Sequence, residues 1–243
     1  MQTTTNIVPL WISALFFICI SIPVFQIAQA IKRGGLNASL DTNKVSQLFY
    51  GSILFYFLFF AYTALLSFSG VFQVNTFPPR AILFTMLPLL VFYFLFIFRT
   101  KIYWTILAQI PLSTLVRLHA FRLVGIFFII FWSYDALPTY FAFAAGIGDI
   151  FAAVTALLVA KLIDKKNQHY KKITLIWNIV GFWDIVHVIA AALYITKQSI
   201  ETGTIGVQEM TKFPFCLIPA FAPATIIFLH ISIFKRLKMQ DIE

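Results

Sequence analysis

The chain has 243 residues, of which 60% are hydrophobic and only 11% are charged, and its mean hydropathy is +0.89. This composition excludes an ordinary soluble domain, in which about 25% of the residues are charged. The formal net charge of +9 does not indicate nucleic-acid binding, because the lysines and arginines gather in short segments between apolar runs. In a membrane protein such segments set the orientation and contact lipid headgroups. The sequence therefore predicts a polytopic membrane protein surrounded by membrane lipids.

Apolar runs of about 20 residues each match the thickness of the bilayer's hydrocarbon core. They predict an all-helical protein with seven transmembrane helices in one domain, residues 1–243, and no soluble domain. In chain order the predicted spans are 8–31, 45–72, 80–98, 114–135, 138–161, 172–196 and 213–234.

The first span contains the stretch IAQA, which ends at Ala30 and resembles a signal-peptidase site. However, no basic residue precedes the apolar run, and Lys32 and Arg33 follow it, which is the reverse of a cleaved signal peptide. We therefore expect this segment to be retained as the first transmembrane helix.

A further apolar segment, 99–118, lies between the third and fourth spans. It contains Tyr103 and Trp104, aromatic residues that favour the headgroup level, and Pro111 interrupts it. We interpret it as an interfacial helix on the cytoplasmic side or as an extension of the third span. A re-entrant segment is the remaining alternative.

Basic residues are concentrated after the first, third and fifth spans and at the C-terminus. The positive-inside rule then predicts an external N-terminus and a cytoplasmic C-terminus. We expect a multi-pass protein of the plasma membrane. In a cell that has two membranes, this is the inner one.

Three charged residues lie deep inside predicted spans. Asp184 is about 18 Å from the outer end of the sixth span at 1.5 Å per residue, close to the bilayer midplane. The same counting places Asp149 of the fifth span and Arg122 of the fourth at a similar depth. Charges at this depth are rare and usually face a protein interior or a wet cavity. We therefore expect the three side chains to point at one another.

The spacing of small and polar residues predicts which helices meet. Alanines flank Asp149 on one face of the fifth span and let helix backbones approach closely, as Gly125 does in the fourth. We expect the fourth, fifth and sixth helices to pack together, with the phenylalanine-rich first three spans further out. In the sixth span a polar stripe follows steps of three and four residues, through Asn178, Gly181, Asp184, His187, Ala191 and Tyr194.

Two residues of this stripe are candidates for the site besides Asp184. Asn178 is expected to belong to it. His187, one turn outward of Asp184, is the expected next step of a proton relay to the outer face. The alternative is a histidine that only makes an interior hydrogen bond.

Pro219 and Pro223 in the seventh span are expected to free the backbone carbonyls of Phe215 and Pro219 at the depth of the charged residues. Such carbonyls could bind a cation, a proton carrier or water. The alternative is a simple helix kink.

Several classes of function are not favoured by the residue types present. A retinal Schiff base needs a lysine in the middle of the last span, where this sequence has none. The scattered histidines show no zinc-ligand spacing, so no metal is predicted. A haem held by two histidines would have only His119 and His230 as weak candidate ligands, both placed near the cytoplasmic side. No cofactor is therefore predicted.

Three hypotheses for function stay open. Arg122, Asp149 and Asp184 form a site that binds or passes a proton, a small ion or a polar solute, as in a transporter or channel. Alternatively they form a purely structural salt bridge in a structural or sensory protein. The third hypothesis is a membrane-embedded enzyme or haem protein, which the residue pattern favours least.

Overall fold

A computed structural model describes residues 8–239, and all of the regular secondary structure in these residues is helical. The main helices are α1 (Leu10–Asn37), α2 (Thr42–Phe68), α3 (Leu87–Leu95), α4 (Lys101–Gln109), α5 (Leu112–Leu118), α6 (Ile126–Ser133), α7 (Thr139–Asp164), α8 (Tyr170–Thr202) and α9 (Leu217–Met239).

Within residues 8–239, seven helices are long and apolar enough to cross a membrane, which confirms the predicted number. Five are α1, α2, α7, α8 and α9, and the other two are the composite spans Ile82–Arg99 and Leu112–Ser133. The observed helices extend beyond several predicted ends, because an apolar window misses helical turns that carry headgroup-level polar residues. The orientation of the bundle stays a prediction.

The segment 99–118 divides at Pro111. Its first part is α4, which begins where the Thr100 hydroxyl accepts a hydrogen bond from the Tyr103 backbone N–H at 3.2 Å. The part after Pro111 is α5, which forms the first turns of the fourth span rather than a continuation of the connecting helix. The expectation of one interfacial segment over 99–118 therefore holds at most for α4.

The fourth span is interrupted at its centre. A 3-10 helix, His119–Gly125, joins α5 to α6 and carries Arg122. A 3-10 helix is narrower and rises more per residue than an α-helix, and a mid-helix stretch of it often marks a functional or strained position.

The charged residues lie where three elements meet. Helix α7 packs against the 3-10 helix on one side and α8 on another, which confirms the expected contact of the fourth, fifth and sixth spans. The last helix, α9, is the most deeply buried of the seven spans. The second and third spans are the least buried of the seven, as expected, whereas α1 is slightly more buried than α8 and contacts the 3-10 helix.

The expectation for Pro219 is wrong. Helix α9 begins at Leu217, so Pro219 lies in the first turn, where a backbone N–H would have no helical partner anyway. The Phe215 carbonyl is not freed, since it accepts a hydrogen bond from the Ile218 N–H at 2.9 Å. Pro223 does lie inside the helix.

Candidate functional site: a buried arginine with two aspartates

Arg122 is the centre of the site, and its side chain is fully buried, with 0% exposure. Its Nε donates to Asp149 Oδ1 at 2.7 Å, and its Nη2 forms an ion pair with Asp184 Oδ2. Its Nη1 donates to the Gly181 carbonyl oxygen at 3.3 Å. These three residues, Arg122, Asp149 and Asp184, are called the Arg122 cluster below. The geometry brings them together as the depth counting predicts.

The cluster forms because glycines remove side chains where the helices meet. A Cβ atom at Gly125 would lie 2.5 Å from the Asp149 Cβ, which only a glycine avoids. On α7, Gly148 lies against the Asp184 carboxylate, and a Cβ there would overlap Asp184 Oδ1. Three backbones thus approach closely enough for one guanidinium to reach two other helices.

The two carboxylates have different surroundings. The Asp149 side chain is 9% exposed and lies among alanines of α7. The Asp184 side chain is 21% exposed and faces the seam between α7 and α8. One guanidinium facing two carboxylates leaves a formal charge of one negative unit, and Asp184 is the more exposed of the two carboxylates.

Asn178 does not contact Asp184 as the stripe suggests. It is fully buried and pairs with His230 on α9 through two hydrogen bonds. Its Nδ2 donates to the His230 carbonyl at 3.0 Å, and its Oδ1 accepts from His230 Nδ1 at 2.8 Å. Because the amide oxygen can only accept, His230 carries its hydrogen on Nδ1 and presents Nε2 as an acceptor.

His119 and His230 lie beside the cluster rather than near the end of the bundle. A Cβ at Gly181 would lie 3.1 Å from His230 Nε2 and 3.6 Å from Arg122 Nη1. His119 contacts both His230 and Trp177, with ring centroids 4.1 Å and 5.2 Å away. Among the described residues, neither nitrogen of His119 nor Nε2 of His230 has a hydrogen-bond partner.

A haem ligated by this histidine pair does not fit the packing. The porphyrin plane must pass between two imidazoles that bind the iron from opposite sides. Ring centroids 4.1 Å apart place the imidazoles of His119 and His230 in direct contact, so no such gap exists. Within residues 8–239, no three His, Cys, Asp or Glu side chains come together as a metal ion would require.

His187 faces outward instead of lining the interior. Its Nε2 lies 3.2 Å from the exposed Tyr140 hydroxyl of α7. Each step of three residues on a helix falls about 60° short of a full turn, so the stripe coils around α8. From Asn178 to His187 the accumulated rotation is about half a turn, with Asp184 in between. The stripe is therefore buried at Asn178, half-buried at Asp184 and exposed at His187.

Gly148 and the depth of the two histidines are not among the features expected from the sequence, whereas Gly125 and Gly181 are. Gly148 could have been found, because it directly precedes Asp149 on the same helix. His119 could not, since nothing in the sequence marks the 3-10 helix that sets its depth.

The fold and the cluster define a multi-pass membrane protein of seven helices with a charged network enclosed at mid-depth. Residues 77–238 match the family described as Domain of unknown function (DUF8737), and the chain belongs to this family. The matched part contains the whole Arg122 cluster. No curated protein and no solved structure matches the chain.

Proposed function

We propose that the protein binds or passes a proton, a small ion or a polar solute at the Arg122 cluster, in the manner of a transporter or channel. The charge of the cluster favours a proton or a small cation. Arg122 is one positive charge held against two carboxylates, and one added positive charge makes the site neutral. A neutral site is the more stable state at membrane depth, where an uncompensated charge is costly.

The observation that carries this proposal is the partial exposure of the Asp184 side chain. Its Oδ2 pairs with Arg122, and its side chain keeps 21% exposure at mid-depth. A carboxylate that only holds helices together does not need to be accessible from outside the bundle. Arg122, by contrast, is fully enclosed and acts as the fixed counter-charge.

Polar groups on both sides of the cluster support a route to it. Toward the expected outer face, His187 and Tyr140 form an exposed pair on the same α7–α8 seam that Asp184 faces. On the other side, three nitrogens of His119 and His230 lack hydrogen-bond partners in the described chain. Buried polar atoms are normally hydrogen-bonded, so these nitrogens favour a layer that small polar species enter.

The location and orientation complete the proposal. We infer a plasma-membrane protein with an external N-terminus, since the basic residues fall in alternate connections. In this orientation the His187 pair is on the outer side of the cluster and the two buried histidines are on the cytoplasmic side.

A structural role is the second candidate, and the enclosure of Arg122 favours it. The guanidinium has three hydrogen bonds and no exposure, so it is satisfied without any ligand. A buried ion pair of this kind can specify how helices pack without binding anything.

Proton flux into reconstituted vesicles separates the two candidates. With an imposed pH gradient and an entrapped pH-sensitive dye, the parent protein should dissipate the gradient faster than empty vesicles. Asp184→Asn should abolish the difference, because the amide keeps the shape of the carboxyl group but cannot exchange a proton. The matched control is Asp164→Asn, since Asp164 pairs with Arg117 at the exposed end of α7, and it should behave as the parent.

Vesicles with sodium or potassium gradients extend the same test to small cations. The structural candidate predicts that no gradient is dissipated by the parent protein. It also predicts that Asp184→Asn and Asp149→Asn lower the melting temperature in detergent equally. That combination would overturn the proposed function.

A further inference from the structure

A second internal space lies away from the Arg122 cluster and shares no residue with it. It is a cavity of about 360 Å³ lined by α1, α2, α3, α4, α5 and α9. The residues that line it extend from Tyr56, in the middle of α2, to Ile110, directly after α4. An apolar cavity of about 150 Å³ is already large enough to take benzene, and ligand pockets begin at about 300 Å³. This space is therefore large enough for a lipid-like molecule.

The walls of the cavity are apolar and aromatic. Phe55 stacks on Phe92, with ring centroids 4.7 Å apart, and Tyr93 stacks on Phe228 at the same separation. Among the described residues that line the cavity, none is charged. A charged ligand group inside would have no counter-charge, so the walls favour a neutral occupant.

A chain of three hydroxyls gives the cavity one polar point, and the Tyr103 hydroxyl and Ser232 Oγ, 2.8 Å apart, give it another. Tyr56 and Tyr93 hydroxyls lie 3.0 Å apart, and the Tyr93 hydroxyl lies 2.9 Å from Thr225 Oγ1. Each hydroxyl has one hydrogen to donate, so the chain satisfies Tyr93 from both sides and leaves Tyr56 with hydrogen-bonding capacity at its end. All three residues line the cavity.

Gly51 lies on the bilayer side of the cavity. It is exposed on α2, lines the space, and a Cβ placed on it would have no atom within 4 Å. A glycine at this position leaves the exposed side of the cavity wall without a side chain, and we expect a molecule of the bilayer to enter there.

We propose that this cavity binds a neutral amphiphile of the bilayer that carries one hydroxyl or carbonyl oxygen, such as a long-chain or isoprenoid alcohol. The apolar chain lies between the aromatic walls, and the oxygen exchanges a hydrogen bond with Tyr56. The proposal does not depend on the function proposed for the Arg122 cluster.

Photolabelling of the intact protein in lipid nanodiscs tests the proposal. The probe is a long-chain alcohol with a diazirine in its chain, and the labelled residues are mapped by mass spectrometry. We expect label on Phe55, Phe92 and Phe228, and competition by the unlabelled alcohol. Gly51→Phe, which fills the opening, should reduce this label at least tenfold. Leu58→Phe, on the exposed face of the same helix outside the cavity, should leave it unchanged.

Removing the Tyr56 hydroxyl tests the chemistry of the ligand. Tyr56→Phe should weaken alcohol binding about fivefold, the usual effect of one hydrogen bond, and should not change labelling by a diazirine alkane. Equal labelling by alkane and alcohol in the parent would show that an ordinary lipid chain occupies the space, and would overturn the proposal. If Gly51→Phe fails to fold, Leu48→Trp fills the cavity from the same helix. Undiminished label in a folded filling variant would equally refute it.

Discussion

Gly125→Ala is the most informative single substitution in the helix contacts around Arg122. A Cβ at this position would lie 2.5 Å from the Asp149 Cβ and 3.2 Å from the Gly146 carbonyl oxygen. Both atoms are fixed to the α7 backbone, so no side-chain rotation relieves the overlap. Carbon atoms pack best at about 3.5–4.0 Å, so α7 must move away by about 1 Å.

This movement affects both packing and the ion pair. Overpacking of a buried contact costs about 1–3 kcal/mol. The Arg122 Nε to Asp149 Oδ1 distance is 2.7 Å, and it would then exceed the limit of about 3.5 Å for a hydrogen bond. Because breaking a buried ion pair is costly in itself, we expect Gly125→Ala to lower the free energy of unfolding by about 2–4 kcal/mol.

The assay is unfolding in mixed detergent micelles, followed by tryptophan fluorescence. Gly51→Ala is the matched control, since a Cβ there has no atom within 4 Å, and alanine in a helix is more stable than glycine by about 0.5–1 kcal/mol. We expect opposite signs for the two substitutions. Equal stability of the two variants would refute the close helix approach on which the Arg122 cluster depends.

Two further predictions follow from the same contacts, and a third tests the orientation expected from the basic residues. Asp149→Asn should destabilise the protein by about 3–5 kcal/mol, because it breaks a buried ion pair, and normal stability would show that Arg122 does not need this partner. Asn178→Ala removes two buried hydrogen bonds to α9 and should lower the melting temperature, with a loss of about 1–3 kcal/mol. Its control is Asn37→Ala, which removes one exposed hydrogen bond to α4, and an equal effect would contradict the assigned pairing. A cysteine at Thr204 should react with an impermeant maleimide added to intact cells, whereas one at Lys165 should not; the reverse pattern would overturn the predicted orientation.

Much of the helical architecture could be predicted because apolar length is a local property of the sequence. The three charges could also be placed in one layer by counting, since Arg122, Asp149 and Asp184 lie near the middle of three consecutive spans. The counting tolerated errors of several residues at the span ends, because all three charges lie far from those ends.

The features that could not be predicted depend on helix rotation and on tertiary contacts. His187 is exposed because steps of three residues coil around a helix, so it lies on the side opposite Asn178. His119 lies deeper than expected because the span begins at Leu112 and continues as a 3-10 helix with a larger rise per residue. The large apolar cavity depends on six helices at once, and no local pattern indicates it.

The central claim is that Asp184 exchanges a proton inside the membrane, and infrared spectroscopy of the purified protein in lipid tests it most directly. The difference spectrum between acidic and alkaline buffer should contain a carbonyl band of a protonated carboxyl group that Asp184→Asn removes. The band should remain in Asp164→Asn, because the carboxylate that this substitution removes lies at the end of the bundle. A difference spectrum that Asp184→Asn leaves unchanged would contradict the claim and favour a structural ion pair.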